Sequence, residues 1–323
     1  MPTRFWSNLV ASVPAASELT MDKPITTTDV PPQFLNAAFL LGHIPQKALA
    51  SDPRVSYTLY VPPEHYNPNA ASTIAKLSLL VSLHGSRRDI SDIDDLVTFA
   101  KSTPCAVLVP LFPAGLDGPN DIDSYKLLRS KTLRSDLALL AMLDEITYRW
   151  PGIETDKVFL MGFSGGGQFA HRFLYLYPER LAAISIGAPG SVTLLDDQQN
   201  WPAGIKDVEY LFGKVVQKDL IRKIPIQLVV GGADVKVPGG EEFWVWLQEM
   251  KGRHKGNDGD SNDLGGILPI RQGRVQTIQN LRGTWKENSI ETQMVVVDGV
   301  AHNAKGVRKS VLEFLRPWIN KGV

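Results

Sequence analysis

The stretch Val158-Phe-Leu-Met-Gly-Phe-Ser-Gly-Gly-Gly-Gln-Phe-Ala-His171 decides how the rest of the chain is read. It opens as an unbroken apolar run, passes through Gly162-Phe163-Ser164-Gly165-Gly166, and continues with helical spacing toward Tyr177. A run that is apolar along its whole length is what a strand covered on both faces requires. Glycine on either side of Ser164 permits a strand-to-helix turn too tight for a side chain, with the serine oxygen held out at its apex. A helix that starts directly after the serine aims free amides and partial positive charge at that oxygen. Such a glycine-rich loop also suits a phosphate, but no Gly-Lys-Ser/Thr follows, so nucleotide binding is set aside.

The same apolar signature recurs on both sides of this stretch. Val55–Val61 alternates large apolar and hydroxyl residues, and the runs Leu77–Leu83, Ala106–Val109, Ala183–Ile186, Ile226–Val230 and Met294–Val297 are more uniformly apolar. Helical patterns over Leu133–Arg149, Gly167–Tyr177, Gly240–Met250 and Val307–Ile319 separate the later strands. Strands alternating with helices predict βαβ units and a parallel sheet with helices on both faces. Residues 1–50 read as a proline-rich N-terminal arm with a short amphipathic helix over Gln33–Leu41, and residues 51–323 as the main α/β domain. Two segments break the alternation: 189–224, long enough for a cap, and the polar, glycine-rich 251–274, expected to be a mobile loop. Within the latter, Asn257-Asp-Gly-Asp-Ser-Asn-Asp263 resembles a calcium loop but lacks its sixth-position glycine and its twelfth-position glutamate, so calcium is rejected.

Composition bounds the function class. The 323 residues are 43% hydrophobic and 21% charged, and 34 Lys and Arg against 34 Asp and Glu leave a formal charge of zero. No global field draws such a chain to a phosphate backbone, so nucleic acid is not an expected partner. The single cysteine, Cys105, excludes an internal disulfide and a thiolate zinc centre, and its apolar surroundings place it in the core. No apolar run is long enough to span a membrane. The first residues match a secretory signal poorly and no Asn-x-Ser/Thr sequon occurs, so a cytoplasmic location is expected.

A serine hydroxyl is a weak nucleophile without a base whose pKa lies near 7 and an acid to orient that base. Of the six histidines, His43 and His65 precede the sheet core, His171 lies on the helix after the elbow, and His254 opens the polar insertion. His302 follows the last strand on the loop before the terminal helix, at the edge where a parallel sheet presents its sites, and is the candidate base. Asp234 ends the strand Ile226-Gln-Leu-Val-Val-Gly-Gly-Ala-Asp234 on a second such loop and is the candidate acid. Asp196, Asp197, Glu209 and Asp298 are its alternatives.

His84-Gly85 after an early strand, the elbow at Ser164, Asp234 and His302, in that order, resemble the α/β-hydrolase superfamily from about Val55 to the C-terminus. The short Leu83-His-Gly-Ser-Arg-Arg88 looks like the branch of esterases and polyester depolymerase-like enzymes without a long His-Gly-Gly-Gly tract. The resemblance implies a doubly wound, mostly parallel sheet of about eight strands with a cap insertion. It also implies an oxyanion hole made by the Gly165 amide and a second amide, assigned to Ser86 with Arg87 next.

The implied function is a serine hydrolase that cleaves a carboxylic ester or lactone by way of an acyl-enzyme, using no metal or organic cofactor. An acyltransferase, an amidase, a carbon–carbon hydrolase or a non-catalytic ligand binder would keep much the same residues. The expected partner is a small-molecule acyl substrate. Phe112, Tyr125, Phe163, Trp201 and Phe212 are candidate walls of its pocket, although aromatics at such positions are as often plain core. His84 is read as shaping the oxyanion loop or as a core histidine, and Arg87 with Arg88 as a solvated pair, the alternative being a clasp for a substrate carboxylate.

Overall fold

In the parallel strands at the centre of the sheet both faces are buried, which is why their sequences show no polar alternation; the parallel edge strand Gln293–Val297 is only partly covered. Along Ser78–Leu83, Leu79, Val81 and Leu83 join the core on one face while Leu80 joins the core on the other. The computed structural model describes residues 23–68, 75–118, 121, 123–235 and 273–322. Its strands are β1 (Gly42–Ala48), β2 (Ser56–Val61), β3 (Ser78–Leu83), β4 (Cys105–Leu111), β5 (Val158–Phe163), β6 (Leu181–Gly187), β7 (Ile226–Gly231) and β8 (Gln293–Val297). They form one eight-stranded sheet in the order β1-β2-β4-β3-β5-β6-β7-β8. β1 and β2 pair antiparallel, β2 is antiparallel to β4, and every later pairing is parallel.

Helices cover both faces. On one, Leu139, Met142 and Ile146 of α2 (Ser135–Arg149) and Phe169 and Phe173 of α3 (Gly165–Leu176) pack against the sheet. On the other, Leu96 and Phe99 of α1 (Asp92–Ser102) meet Val307, Val311 and Leu315 of the terminal helix Ala304–Lys321. Each fully buried side chain of this size contributes about 1.5–3 kcal/mol relative to exposure. Cys105 belongs to this second core, where burial pushes its thiol up to about 12. Among the described residues, no helix is long and apolar enough to cross a membrane.

The N-terminal expectation needs correction. Residues 42–48 are strand β1, and the expected helix over 33–41 is a single 3-10 turn at Pro32–Phe34 followed by turns. Positive φ at Phe39 and Gly42 stops helical winding. Pro45 hides the strand pattern, yet it is tolerated because β1 is an edge strand and the register shifts between Ile44 and Lys47. Residues 189–224 contain two short helices, Val208–Phe212 and Lys218–Ile221. Trp201 Nε1 ties the segment to the carbonyl of Leu127 at 3.0 Å. The expected helix Gly240–Met250 and the calcium-like stretch lie outside the described residues, as does 251–272. At the end of that segment, Arg274 already begins the helix Arg274–Glu287.

Candidate active site

The elbow forms because β5 and α3 cross at a distance only glycine permits. A Cβ on Gly162 would sit 2.4 Å from the carbonyl oxygen of Gly166, and one on Gly166 would sit 2.3 Å from that of Leu83. The compression falls on Ser164, held at φ 57° and ψ −113°, a sparsely populated region for a residue with a side chain. Its amide donates to the carbonyl of Gly187 at 2.9 Å and its carbonyl accepts the amide of Gln168 at 3.0 Å, so β6 and the first turn of α3 hold the strain in place.

Strands β5, β7 and β8 run parallel, so the segments after them emerge at one edge of the sheet. The loops after β7 and β8 are laced together: Gly232 N donates to Val297 O at 2.8 Å and Ala233 N to Val300 O at 2.9 Å. Asp234, 4% exposed, places Oδ2 2.6 Å from His302 Nδ1. His302 Nε2 lies 3.0 Å from Ser164 Oγ. The partners assign the tautomer, with Nδ1–H donating to the carboxylate and Nε2 free to accept the serine proton. Asn303 anchors the chain just beyond the histidine, its side chain accepting the amides of Lys305 at 2.9 Å and Gly306 at 3.3 Å as N-cap of the terminal helix. The alternative acids do not meet the histidine: Asp196 and Asp197 bond to Gln198 and Gln199, Glu209 is exposed, and Asp298, though in the loop that carries His302, is exposed as well.

The loop after β3 brings a second backbone amide to the elbow. A Cβ on Gly165 would lie 3.0 Å from Ser86 N, so these two amides border the same small space. Arg87 is exposed beside Ser86 in the turn. Arg88 is not a solvated residue: Nε donates to Phe112 O at 2.8 Å, Nη1 donates to Ser86 O at 2.9 Å, and the guanidinium lies 5.3 Å from the Tyr125 ring centre. It braces the Ser86 turn from behind.

The aromatic candidates divide. Phe163 packs against His302, and Tyr125, though buried, brings its hydroxyl to within 2.4 Å of where a Gly165 Cβ would be. Phe112 is instead fully buried and stacked between Tyr125 and Phe169. Trp201 and Phe212 are buried and pair with each other edge-to-face. They are core because each ring found an apolar neighbour on its own side of the fold. His84 is also core, 3% exposed. Its Nδ1 donates to Gly85 O at 2.8 Å and its Nε2 accepts the amide of Phe112 at 3.0 Å. Burial lowers its pKa to about 4, and the cations Arg88 and Lys126 act in the same direction.

Three neighbours of the site had no sequence signal that set them apart. Asn303 is an ordinary N-cap, Gln168 one polar residue of a buried helix, and Arg274 the first residue of a helix whose approach to the sheet edge is a tertiary fact. Among the described residues, no group of three or more His, Cys, Asp or Glu side chains is arranged to hold a metal ion.

No protein-family model matches the sequence, and no curated protein matches it. Solved structures do. A poly(3-hydroxybutyrate) depolymerase from Bordetella parapertussis is 19% identical with a TM-score of 0.59, covering 89% of this chain and 94% of its own. Poly(aspartic acid) hydrolase-1 from Sphingomonas sp. KT-1 is 19% identical with a TM-score of 0.56, over 80% of this chain and 92% of its own. An S-formylglutathione hydrolase from Agrobacterium tumefaciens is 14% identical with a TM-score of 0.53, over 86% and 99%. The eight-stranded, mostly parallel sheet and its flanking helices, shared with these structures along most of their length, give this chain the α/β-hydrolase fold.

Proposed function

We propose that this chain is a serine hydrolase that cleaves a carboxylic ester or lactone through an acyl-enzyme on Ser164. The observation that carries the reading is the unbroken relay of Asp234 Oδ2 to His302 Nδ1 at 2.6 Å and His302 Nε2 to Ser164 Oγ at 3.0 Å. Similar structures that are themselves named as hydrolases support the reaction class.

In the first half-reaction, Ser164 Oγ bonds to the substrate carbonyl carbon while its proton passes to His302 Nε2. Asp234 holds the ring in the accepting tautomer and stabilises the imidazolium. The carbonyl electron pair moves onto oxygen, and the amides of Gly165 and Ser86 receive that charge, each such donor being worth about 3–4 kcal/mol in the transition state. Collapse of the intermediate expels the alcohol oxygen, which takes the proton from His302. Water then attacks the acyl carbon with His302 again as base, releasing the acid and restoring Ser164. The His302 side chain is 38% exposed, which supports ready access for that water.

A fluorophosphonate probe tests the proposal. Stoichiometric labelling of the unaltered protein, lost in Ser164→Ala and slowed in His302→Ala, is the expected result. Turnover of a small activated ester should fall by about three orders of magnitude or more in either variant. A folded protein that neither takes the probe nor hydrolyses any ester, lactone or amide in a broad screen would favour a ligand-binding protein on the same scaffold.

A further inference from the structure

Three consecutive carbonyls of the loop after β3 are each held by a side chain. His84 O accepts the Tyr125 hydroxyl at 3.2 Å, Gly85 O accepts His84 Nδ1–H at 2.8 Å, and Ser86 O accepts Arg88 Nη1–H at 2.9 Å. In a planar trans peptide the amide points opposite to the carbonyl, so fixing Gly85 O also aims the Ser86 amide. The His84 and Arg88 bonds set the loop's own shape, and both side chains tie it to Phe112 just after β4. Tyr125 does something further: of these three braces it is the one that also touches Gly165.

Its hydroxyl stands where Gly165 has no side chain. A Cβ on Gly165 would lie 2.4 Å from Tyr125 Oη and 3.0 Å from Ser86 N, so one phenol oxygen borders both halves of the space assigned to the oxyanion. The ring is firmly mounted, stacked on Phe112 at 5.7 Å and 11° and tilted against His84 at 4.8 Å. Its backbone is held from α2, where the buried Ser135 hydroxyl donates to Tyr125 O at 2.8 Å. Burial raises the phenol above its ordinary pKa, so it stays a protonated donor. At 1% exposure, Tyr125 acts through the groups it touches and not on substrate directly.

We propose that Tyr125 is a positioning residue: its hydroxyl, wedged between His84 O and the bare face of Gly165, sets the separation of the Gly165 and Ser86 amides and so the fit of the oxyanion hole. Its bearing on catalysis rests on the hydrolase reading, but the bracing of the Ser86 amide does not. Such a residue serves the transition state more than the bound ester, because the two amides meet full negative charge only after Ser164 has attacked.

The experiment compares the unaltered protein with Tyr125→Phe, which deletes one oxygen and keeps the ring stack. With an activated ester, kcat should fall at least tenfold while KM stays within twofold. Affinity for trifluoroacetophenone, whose carbonyl carbon takes Ser164 Oγ and whose oxygen then carries the negative charge, should weaken in the same proportion as kcat. Replacing Tyr125 by p-aminophenylalanine, which keeps a donor on the ring, should restore both to within threefold. Nitrogen-relaxation NMR should show the Ser86 amide losing order in Tyr125→Phe while amides in the middle of α3 keep theirs. An unchanged kcat overturns the proposal, as does a loss of kcat that the ketone's affinity does not follow or that p-aminophenylalanine does not restore. Where neither protein hydrolyses any ester, Ser86 decides: lost order upholds the bracing and rejects the hydrolase reading, and unchanged order overturns the proposal. Should Tyr125→Phe fail to fold, Ser135→Ala loosens the same turn from α2; kcat must then fall at least threefold at constant KM, and an unchanged kcat overturns the proposal there as well.

Discussion

The ring of Phe163 lies 4.9 Å from the imidazole of His302, tilted by 40°. Phe163 immediately precedes Ser164, so the backbone that presents the serine also supplies a wall against the histidine. An aromatic contact of this kind is worth about 0.5–1.5 kcal/mol. Phe163→Ala is expected to lower kcat about three- to tenfold through a looser imidazole, with KM changing less, as steady-state kinetics on an activated ester will read.

Asn303, the residue after His302, fixes the end of the histidine loop by capping the terminal helix. Asn303→Ala should cost about 1 kcal/mol in denaturant unfolding. It should also reduce kcat several-fold, because the first turn no longer anchors the loop. Asn303→Asp, which keeps an acceptor, should restore both quantities; a kcat loss that Asp does not rescue would contradict the capping role.

At Gly165 an added Cβ would meet Tyr125 Oη at 2.4 Å and both Lys126 Cε and Ser86 N at 3.0 Å. Gly165→Ala therefore pushes on the space assigned to the oxyanion. The expected loss in kcat is on the order of 10²- to 10³-fold, as for removal of one oxyanion donor. Fluorophosphonate labelling should slow in parallel, because it forms a similar charged intermediate.

Ser164 trades stability for its position. Its backbone conformation costs about 1–3 kcal/mol for a residue with a side chain. Ser164→Gly removes that strain and adds about 0.5–1 kcal/mol of unfolded-state backbone entropy. The net expectation is a protein about 1 kcal/mol more stable and without hydrolytic activity. Equilibrium unfolding in urea checks it, and a less stable variant would mean the strain is small.

Two buried histidines set the acid limit of the fold. Burial lowers the pKa of His84 to about 4 and holds that of His171 well below its ordinary value. A histidine whose folded pKa is depressed stabilises the protein above its unfolded pKa, and that stability drains away as pH falls toward the folded value. The contribution of these two histidines should be constant above about pH 7 and decline from about pH 6.5 toward pH 4, with His84 alone accounting for about 3 kcal/mol. Unfolding free energies across that range, with His84→Gln flattening part of the decline, test this.

The parts of the site legible in the sequence are those that leave a local mark. The elbow shows in its glycines, and Asp234 and His302 show as polar residues just after apolar strands. Strand β1 is hidden by Pro45, whose edge position no local pattern announces. The aromatic candidates look alike along the chain, yet Phe112 goes to the core and Phe163 to the histidine. Side-chain type encodes a preference for burial, not which neighbour satisfies it.

Local pattern along the chain suffices for the alternation of buried strands and helices, the tight turn at Ser164 and the order of the three polar residues that meet there. Hydrophobic period and glycine placement are properties of short windows, so they can be read without knowing the fold. That residues 138 positions apart come within hydrogen-bond reach is settled in three dimensions alone. So are the approach of the Ser86 amide to the same edge and the turn of the Arg274 guanidinium over Gly190. Those contacts depend on strand order and register, which parallel pairing fixes through crossovers that no short window of sequence contains.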